Sequence, residues 1–184
     1  DVKTHYTVTV TPVLADQLEA DGVPDRLETF LSQYRVGSAR VDIETTEPDY
    51  VPAAEAEHAR YTRAAELLSA HGGDPLAAFQ EASASGRVCL AASSATHAVL
   101  PLLATRKGLD LQIATGIESH QRRFGPTGGF WLPECAFEPG LEWDLARHGV
   151  EWFCTDQSRF ESGDEALTPV RTVAVVAKAA YVLA

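Results

Sequence analysis

The sequence is poor in basic residues and in long apolar runs. Its 184 residues include 15 lysines and arginines against 26 aspartates and glutamates, which gives a formal net charge of -11. Nucleic acids and anionic membranes bind basic patches that displace counterions, so this balance argues against both as partners. The apolar stretch 173–184 is interrupted by Lys178 and is too short to span a bilayer. We therefore expect no nucleic-acid partner and no membrane partner.

Cysteine and histidine show none of the spacings that hold a metal. Cys89, Cys135 and Cys154 form no CxxC pair, and their odd number in apolar contexts predicts small buried thiols and not a disulfide framework. The six histidines form no HxxxH or HExxH pair. We therefore expect no metal and no cofactor. The first residues contain no apolar core of a secretory signal, which favours a cytoplasmic location.

Hydrophobic periodicity predicts a helical first half and an alternating second half. The expected strands are 5–10, 88–92, 130–132 and 150–155, and the expected helices are 14–20, 24–44, 53–71, 109–124 and 141–149, with a further helix starting at Asp74 and Pro75. Alternation of strand and helix indicates parallel pairing in an α/β fold. We expect one domain over 1–184 with a helical insertion at about 24–86.

Polar residues follow three of the predicted parallel strands. Neighbouring parallel strands would bring His97, Glu134 and Asp156 to the carboxyl edge of the sheet, where α/β folds build their sites. Two carboxylates and an imidazole can perform acid/base or nucleophilic chemistry. The ordinary alternatives are a hydrogen-bonding loop residue for His97 and a turn cap for Asp156.

Glu134 is the one carboxylate in the apolar stretch 128–137. It is either a solvated loop residue beyond a short strand or a working carboxylate at the mouth of the sheet. Trp131 and two phenylalanines flank it, which suits either core packing or the apolar face of a sugar ring. Pro133 would restrict the backbone just ahead of the carboxylate.

Three basic residues, His120, Arg122 and Arg123, end the predicted helix 109–124. Positive charge is favourable at a helix C-terminus because it complements the helix dipole. The pattern predicts a positively charged helix end in which the two arginines are solvated.

Four segments resemble glycoside hydrolase family 57. Residues 129–137, GFWLPECAF, resemble the nucleophile motif of that family, and 95–103, ATHAVLPLL, resemble its Thr-His-x-x-Leu-Pro-Leu segment. Residues 116–125, GIESHQRRFG, lie between them as in bacterial members, and 11–18, TPVLADQL, resemble the second strand of the family and the residues next to it. The resemblance runs from about residue 6 to residue 172.

This resemblance implies an incomplete (β/α)7 barrel that acts on α-1,4-glucans by a retaining mechanism without metal. Glu134 would be the nucleophile, placed among apolar neighbours to attack and not to be solvated. His97 would line the adjacent subsite, and we expect Trp131 and Asp156 to contact substrate as well. The first expectation is 1,4-α-glucan branching in glycogen biosynthesis; α-amylase hydrolysis and 4-α-glucan transfer are the alternatives within the family.

The sequence also departs from the family pattern. The histidine-rich motif of the first strand and the aspartate segment that carries the acid/base have no counterpart in it, and 173–184 does not resemble a barrel strand of the family. One rival is therefore a non-catalytic fragment that self-associates through unclosed barrel edges. The other is a polysaccharide deacetylase of related shape, which would need a metal held by Asp and His.

Overall fold

The computed structural model describes residues 6–155 and the backbone of 171–176 and 179–182. The strands in this part of the chain form one sheet: β1 (Tyr6–Thr9), β2 (Val88–Ser93), β3 (Gly129–Trp131), β4 (Trp152–Thr155), β5 (Arg171–Val176) and β6 (Ala179–Val182). They lie side by side in chain order, with β1 to β5 parallel and β6 antiparallel to β5. The predicted α/β class with parallel strands is confirmed. The stretch after residue 172, which resembled no barrel strand, contributes to both β5 and β6.

The helices also follow the predicted order. They are α1 (Pro12–Glu19), α2 (Val23–Thr29), α3 (Val36–Thr45), α4 (Val51–Ala70), α5 (Pro75–Ala84), α6 (Arg106–Phe124) and α7 (Leu141–Arg147). A π-helical segment at Phe30–Arg35 joins α2 to α3, so the predicted helix 24–44 is one continuous helical run of three parts. Asp74 caps α5, since its Oδ1 accepts from the amide of Leu76 at 2.8 Å. Within the described ranges, no helix is both long and apolar enough to cross a membrane.

The chain divides into two compact units. The helical unit spans 16–82, and the sheet unit takes in the described residues on either side of it. Within the helical unit, the guanidinium of Arg35 lies 4.2 Å from the ring centroid of Tyr61. This cation–π contact joins the π-helical segment to α4. The insertion predicted at about 24–86 overlaps this unit. Its assignment as an insertion, and that of 1–184 as one domain, stay predictions.

The core of the sheet unit lies where α6 and α7 meet the strands. It consists of Ala92, Leu100, Ile113, Ile117, Phe130, Leu132, Phe137, Leu141, Leu145, Val150 and Phe153. Helix α6 approaches the end of β2 so closely that a Cβ on Gly116 would lie 1.9 Å from the carbonyl oxygen of Ser93. Only glycine fits there, and the contact sets α6 beside the carboxyl end of β2.

Candidate functional site at the carboxyl edge of the sheet

Glu134 lies in a strained turn three residues beyond β3. Its φ is 56° and that of Cys135 is 53°, both in the left-handed region that favours glycine. The amide of Cys135 donates to the carbonyl of Leu132 at 2.9 Å, and that of Ala136 to the carbonyl of Pro133 at 3.1 Å. Proline followed by a residue of positive φ fits a type II turn, in which glycine or asparagine is the ordinary third residue. Glutamate therefore stands where backbone geometry alone would select glycine, which makes it a functional candidate.

His97 lies in a second strained turn, four residues beyond β2. Its φ is 57°, and its amide donates to the carbonyl of Ser94 at 3.3 Å. The hydroxyl of Ser94 in turn donates to the carbonyl of Ala98 at 3.2 Å. Within the described residues, His97, Glu134 and Cys135 are the non-glycine residues with positive φ. Backbone strain is thus concentrated at the two turns that carry the predicted site.

The two turns bring an imidazole and a carboxylate together. Nε2 of His97 lies 3.4 Å from Oε1 of Glu134, and the two side chains are 43% and 71% exposed. Their placement at one edge of the sheet was predicted from the parallel strand order. The expectation that Glu134 is withheld from solvent is wrong for this chain. Leu132 and Pro133 before it are buried, but the left-handed turn directs the carboxylate out of the core.

The other two predicted substrate contacts occupy different positions. Trp131 is the last residue of β3 and is partly buried; its carbonyl accepts a hydrogen bond from the hydroxyl of Ser93 at 3.0 Å. It pairs in register with Ser93 on β2 and with Cys154 on β4. Asp156 lies outside the described residues. Substrate contact by either residue stays a prediction, as do the roles of His97 and Glu134.

Gln112 of α6 anchors the turn that carries His97. Its side-chain Oε1 accepts from the amide of Thr96 at 3.0 Å and from the hydroxyl of Thr96 at 3.2 Å. Its main-chain carbonyl accepts from the amide of Ala95 at 3.0 Å. Sequence reasoning missed this residue because a glutamine on a helix ordinarily faces solvent, and nothing in its spacing marks the contact.

Thr155 anchors the turn that carries Glu134. It is the last residue of β4 and is fully buried. Its hydroxyl donates to the carbonyl of Cys135 at 2.9 Å. No sequence signal marks this contact, since threonine is common in strands and its hydroxyl has many ordinary uses.

The end of α6 differs from the prediction. His120 and Arg123 are only 5% and 9% exposed, because they continue the buried helix face that Ile113 and Ile117 begin. Burial lowers the pKa of His120 to about 4, so this imidazole is neutral near pH 7. The positive charge expected at His120 is therefore wrong, and so is the solvent exposure expected of Arg123, while Arg122 is exposed as expected. Arg123 donates to the hydroxyl of Ser119.

The cysteines are not uniformly buried. Cys154 is buried, Cys135 is partly buried and Cys89 is exposed, so the predicted buried thiol is wrong for Cys89. Burial raises the pKa of the Cys154 thiol to about 11, which keeps it protonated near pH 7. Among the residues that the structure describes, no group of three or more His, Cys, Asp or Glu side chains converges as a metal site would require.

A parallel α/β sheet with candidate catalytic groups beyond the carboxyl ends of its strands has the architecture of barrel-type enzyme domains. Comparison with known proteins identifies the family. The family model described as glycosyl hydrolase family 57 matches residues 26–184. This match covers most of the sequence, and the chain belongs to that family.

Named relatives agree with this assignment, and a solved structure has the same fold. The chain is 32% identical over 160 residues to a 1,4-α-glucan branching enzyme of Thermococcus kodakarensis, covering 83% of the chain and 23% of the relative. It is 38% identical over 109 residues to a probable 1,4-α-glucan branching enzyme of Mycobacterium tuberculosis, covering 58% and 20%. The crystal structure of a branching enzyme of this family from Pyrococcus horikoshii superposes with a TM-score of 0.79 at 23% identity, over 93% of the chain and 37% of that structure. The last comparison shows the fold, and the chain spans a quarter or less of the curated relatives.

Proposed function

We propose that the protein to which this chain belongs acts on α-1,4-glucans by a retaining mechanism in which Glu134 is the nucleophile. The observation that carries the proposal is the strained turn beyond β3, which holds the exposed carboxylate of Glu134 3.4 Å from the imidazole of His97. Strain of this kind persists where the surrounding structure enforces it, and it is concentrated at active sites. Membership of glycosyl hydrolase family 57 and the names of the curated relatives support the substrate class.

The carboxylate of Glu134 attacks the anomeric carbon of an α-1,4-linked glucose. The bond to the leaving oxygen breaks while a general acid protonates that oxygen, and a glycosyl ester forms on Glu134. An acceptor hydroxyl then attacks the same carbon, gives its proton to the same acid/base group and releases the carboxylate. Each of the two steps inverts the configuration of the anomeric carbon, so the product retains the α configuration. The 71% exposure of Glu134 leaves its oxygens accessible to a polysaccharide chain.

Retention requires a second carboxyl group about 5–5.5 Å from the nucleophile. Asp156 follows β4, the strand beside β3, and is a candidate within this sequence on position. The resemblance to the family gives Asp156 no such role, and the aspartate motif that carries the acid/base in the family has no counterpart in 157–184.

The acceptor decides the outcome of the second step. A 6-hydroxyl of another glucan gives a branch, a 4-hydroxyl gives 4-α-transfer, and water gives hydrolysis. We propose branching, because the curated relatives are named for it. Transfer to a sugar also requires that water be kept from the glycosyl ester. Glycogen biosynthesis, a cytoplasmic setting and self-association through sheet edges stay predictions.

Turnover of amylose tests the proposal. The protein is incubated with amylose, and loss of iodine colour and new reducing ends are followed, before and after treatment with an enzyme that cleaves α-1,6 bonds. Branching lowers the iodine colour and yields new reducing ends only after that treatment; hydrolysis yields them at once. Glu134→Gln should lower turnover at least about a thousandfold. Glu138→Gln, at an exposed glutamate in the same segment, should keep it. Equal turnover by wild type and Glu134→Gln would overturn the proposal.

A further inference from the structure

The hydroxyl of Thr155 makes a contact that the proposed chemistry does not use. Thr155 is fully buried at the end of β4, and its Oγ1 lies 2.9 Å from the carbonyl oxygen of Cys135. Strand β4 is the parallel neighbour of β3, so this hydrogen bond joins one strand end to the turn that follows the other. Glu134 is the residue directly before the anchored carbonyl.

The turn needs such an anchor. Glu134 and Cys135 are consecutive residues of positive φ, and each costs on the order of 1 kcal/mol relative to an ordinary backbone conformation. Without a fixed carbonyl at Cys135, the two residues can relax toward negative φ. That rotation would carry the carboxylate of Glu134 away from His97.

We propose that Thr155 is a positioning residue, which holds the Glu134 turn in its strained form through the carbonyl of Cys135. Its importance for catalysis rests on the function proposed above, but its effect on the turn does not. The side chain of Thr155 is buried and therefore does not itself meet substrate.

Hydrogen exchange tests the effect on the turn. Thr155→Val removes the hydroxyl and keeps the shape, whereas Thr155→Ser keeps the hydroxyl. The amides of Cys135 and Ala136 close the turn, and we expect Thr155→Val to speed their exchange about tenfold and Thr155→Ser to leave it near wild type.

Thr127→Val is the control. The hydroxyl of Thr127 also donates to a carbonyl across the sheet, that of Leu90 at 3.0 Å, and accepts from the amide of Gly129 at 3.0 Å, so the variant removes at least as many hydrogen bonds, but before β3 and not after it. This variant should lower the melting temperature without speeding exchange at Cys135 and Ala136. The proposal is wrong if Thr155→Val leaves both amides unchanged, or if Thr127→Val speeds them equally.

Kinetics test the catalytic consequence. A misplaced nucleophile lowers kcat more than it changes KM, so Thr155→Val should reduce kcat about tenfold or more with KM within about twofold. Thr155→Ser should restore kcat, and Thr127→Val should not lower it. If Glu134→Gln is as active as wild type, the proposed function fails while the exchange result still stands. If Glu134→Gln is inactive but Thr155→Val has full kcat, positioning by Thr155 is overturned instead.

Discussion

Nε2 of His97 lies 3.4 Å from Oε1 of Glu134, and both residues have the left-handed backbone that most side chains avoid. The sheet register produces this relationship. Ser93 pairs with Trp131 across β2 and β3, so the residues four and three positions further on leave the sheet side by side. The proximity of His97 to Glu134 thus results from the parallel pairing of β2 with β3 and from two strained turns, and each of these features can be tested.

Relief of strain at Glu134 should stabilise the protein. Glycine adopts a φ of 56° without the Cβ penalty, so Glu134→Gly should raise the free energy of unfolding by about 0.5–1 kcal/mol. Urea unfolding measures the change. Glu138→Gly is the control, because the backbone of Glu138 lies outside the left-handed region and glycine should give no gain there. A loss of stability in Glu134→Gly as large as in Glu138→Gly would argue against strain.

Two helical glycines should respond to alanine with opposite signs. A Cβ at Gly116 would lie 1.9 Å from the carbonyl oxygen of Ser93, whereas a Cβ at Gly37 of α3 meets nothing within 4 Å. Gly116→Ala should therefore lower the free energy of unfolding by about 1–3 kcal/mol. Gly37→Ala should raise it by about 0.5–1 kcal/mol through helix propensity. Thermal melts of both variants check this, and equal shifts would contradict the close approach of α6 to β2.

His120 should make stability fall in acid. Its pKa is about 4 in the folded protein against 6.5 for an ordinary histidine, so the unfolded chain takes up the proton first. The stability that this residue contributes is full above pH 6.5 and is lost as pH falls from 6.5 to 4, by on the order of 3 kcal/mol. Unfolding curves across this range measure it. His120→Leu should remove that part of the pH dependence; an unchanged pH profile in the variant would show that another group is responsible.

The anchor at Gln112 should depend on its acceptor oxygen. Gln112→Ala removes the acceptor for both groups of Thr96, and we expect a loss of about 1–2 kcal/mol and faster amide exchange at Thr96. Gln112→Glu keeps carboxylate oxygens at that place and should retain most of the stability. Equal losses in both variants would show that an acceptor oxygen at position 112 is not sufficient to support the His97 turn.

The spacing of hydrophobic residues and the order of the strands were sufficient to predict the fold class. The continuous apolar run 88–92 and the helical spacing of 109–124 identify β2 and α6, and the alternation of such elements led to a parallel sheet. The same strand order predicted that His97 and Glu134 lie at one edge of the sheet. At the end of α6 the residue types were misleading. His120 and Arg123 are polar, which favoured a charged helix end in contact with solvent, yet their positions continue the buried helix face of Ile113 and Ile117. Periodicity was the better guide there than residue type.

The finer geometry of the site could not be predicted in the same way. The sequence does not indicate the positive φ of Glu134, because glycine, the residue typical of that conformation, does not stand at this position. The exposure of that carboxylate depends on the direction of the turn, which its apolar neighbours do not reveal. The side chains of Gln112 and Thr155 act through hydrogen bonds between residues 16 and 20 positions apart in sequence, and such contacts form only when the strands are in place.

Covalent trapping on Glu134 is the most direct test of the central claim. The protein is treated with an activated 5-fluoro-α-glucosyl fluoride, whose glycosyl ester is long-lived, and the modified residue is located by mass spectrometry of the peptide that contains 129–137. We predict one added glycosyl group on Glu134, no label in Glu134→Gln and full labelling in Glu138→Gln. A label on any other residue, or equal labelling of Glu134→Gln, would contradict the assignment of Glu134 as the nucleophile.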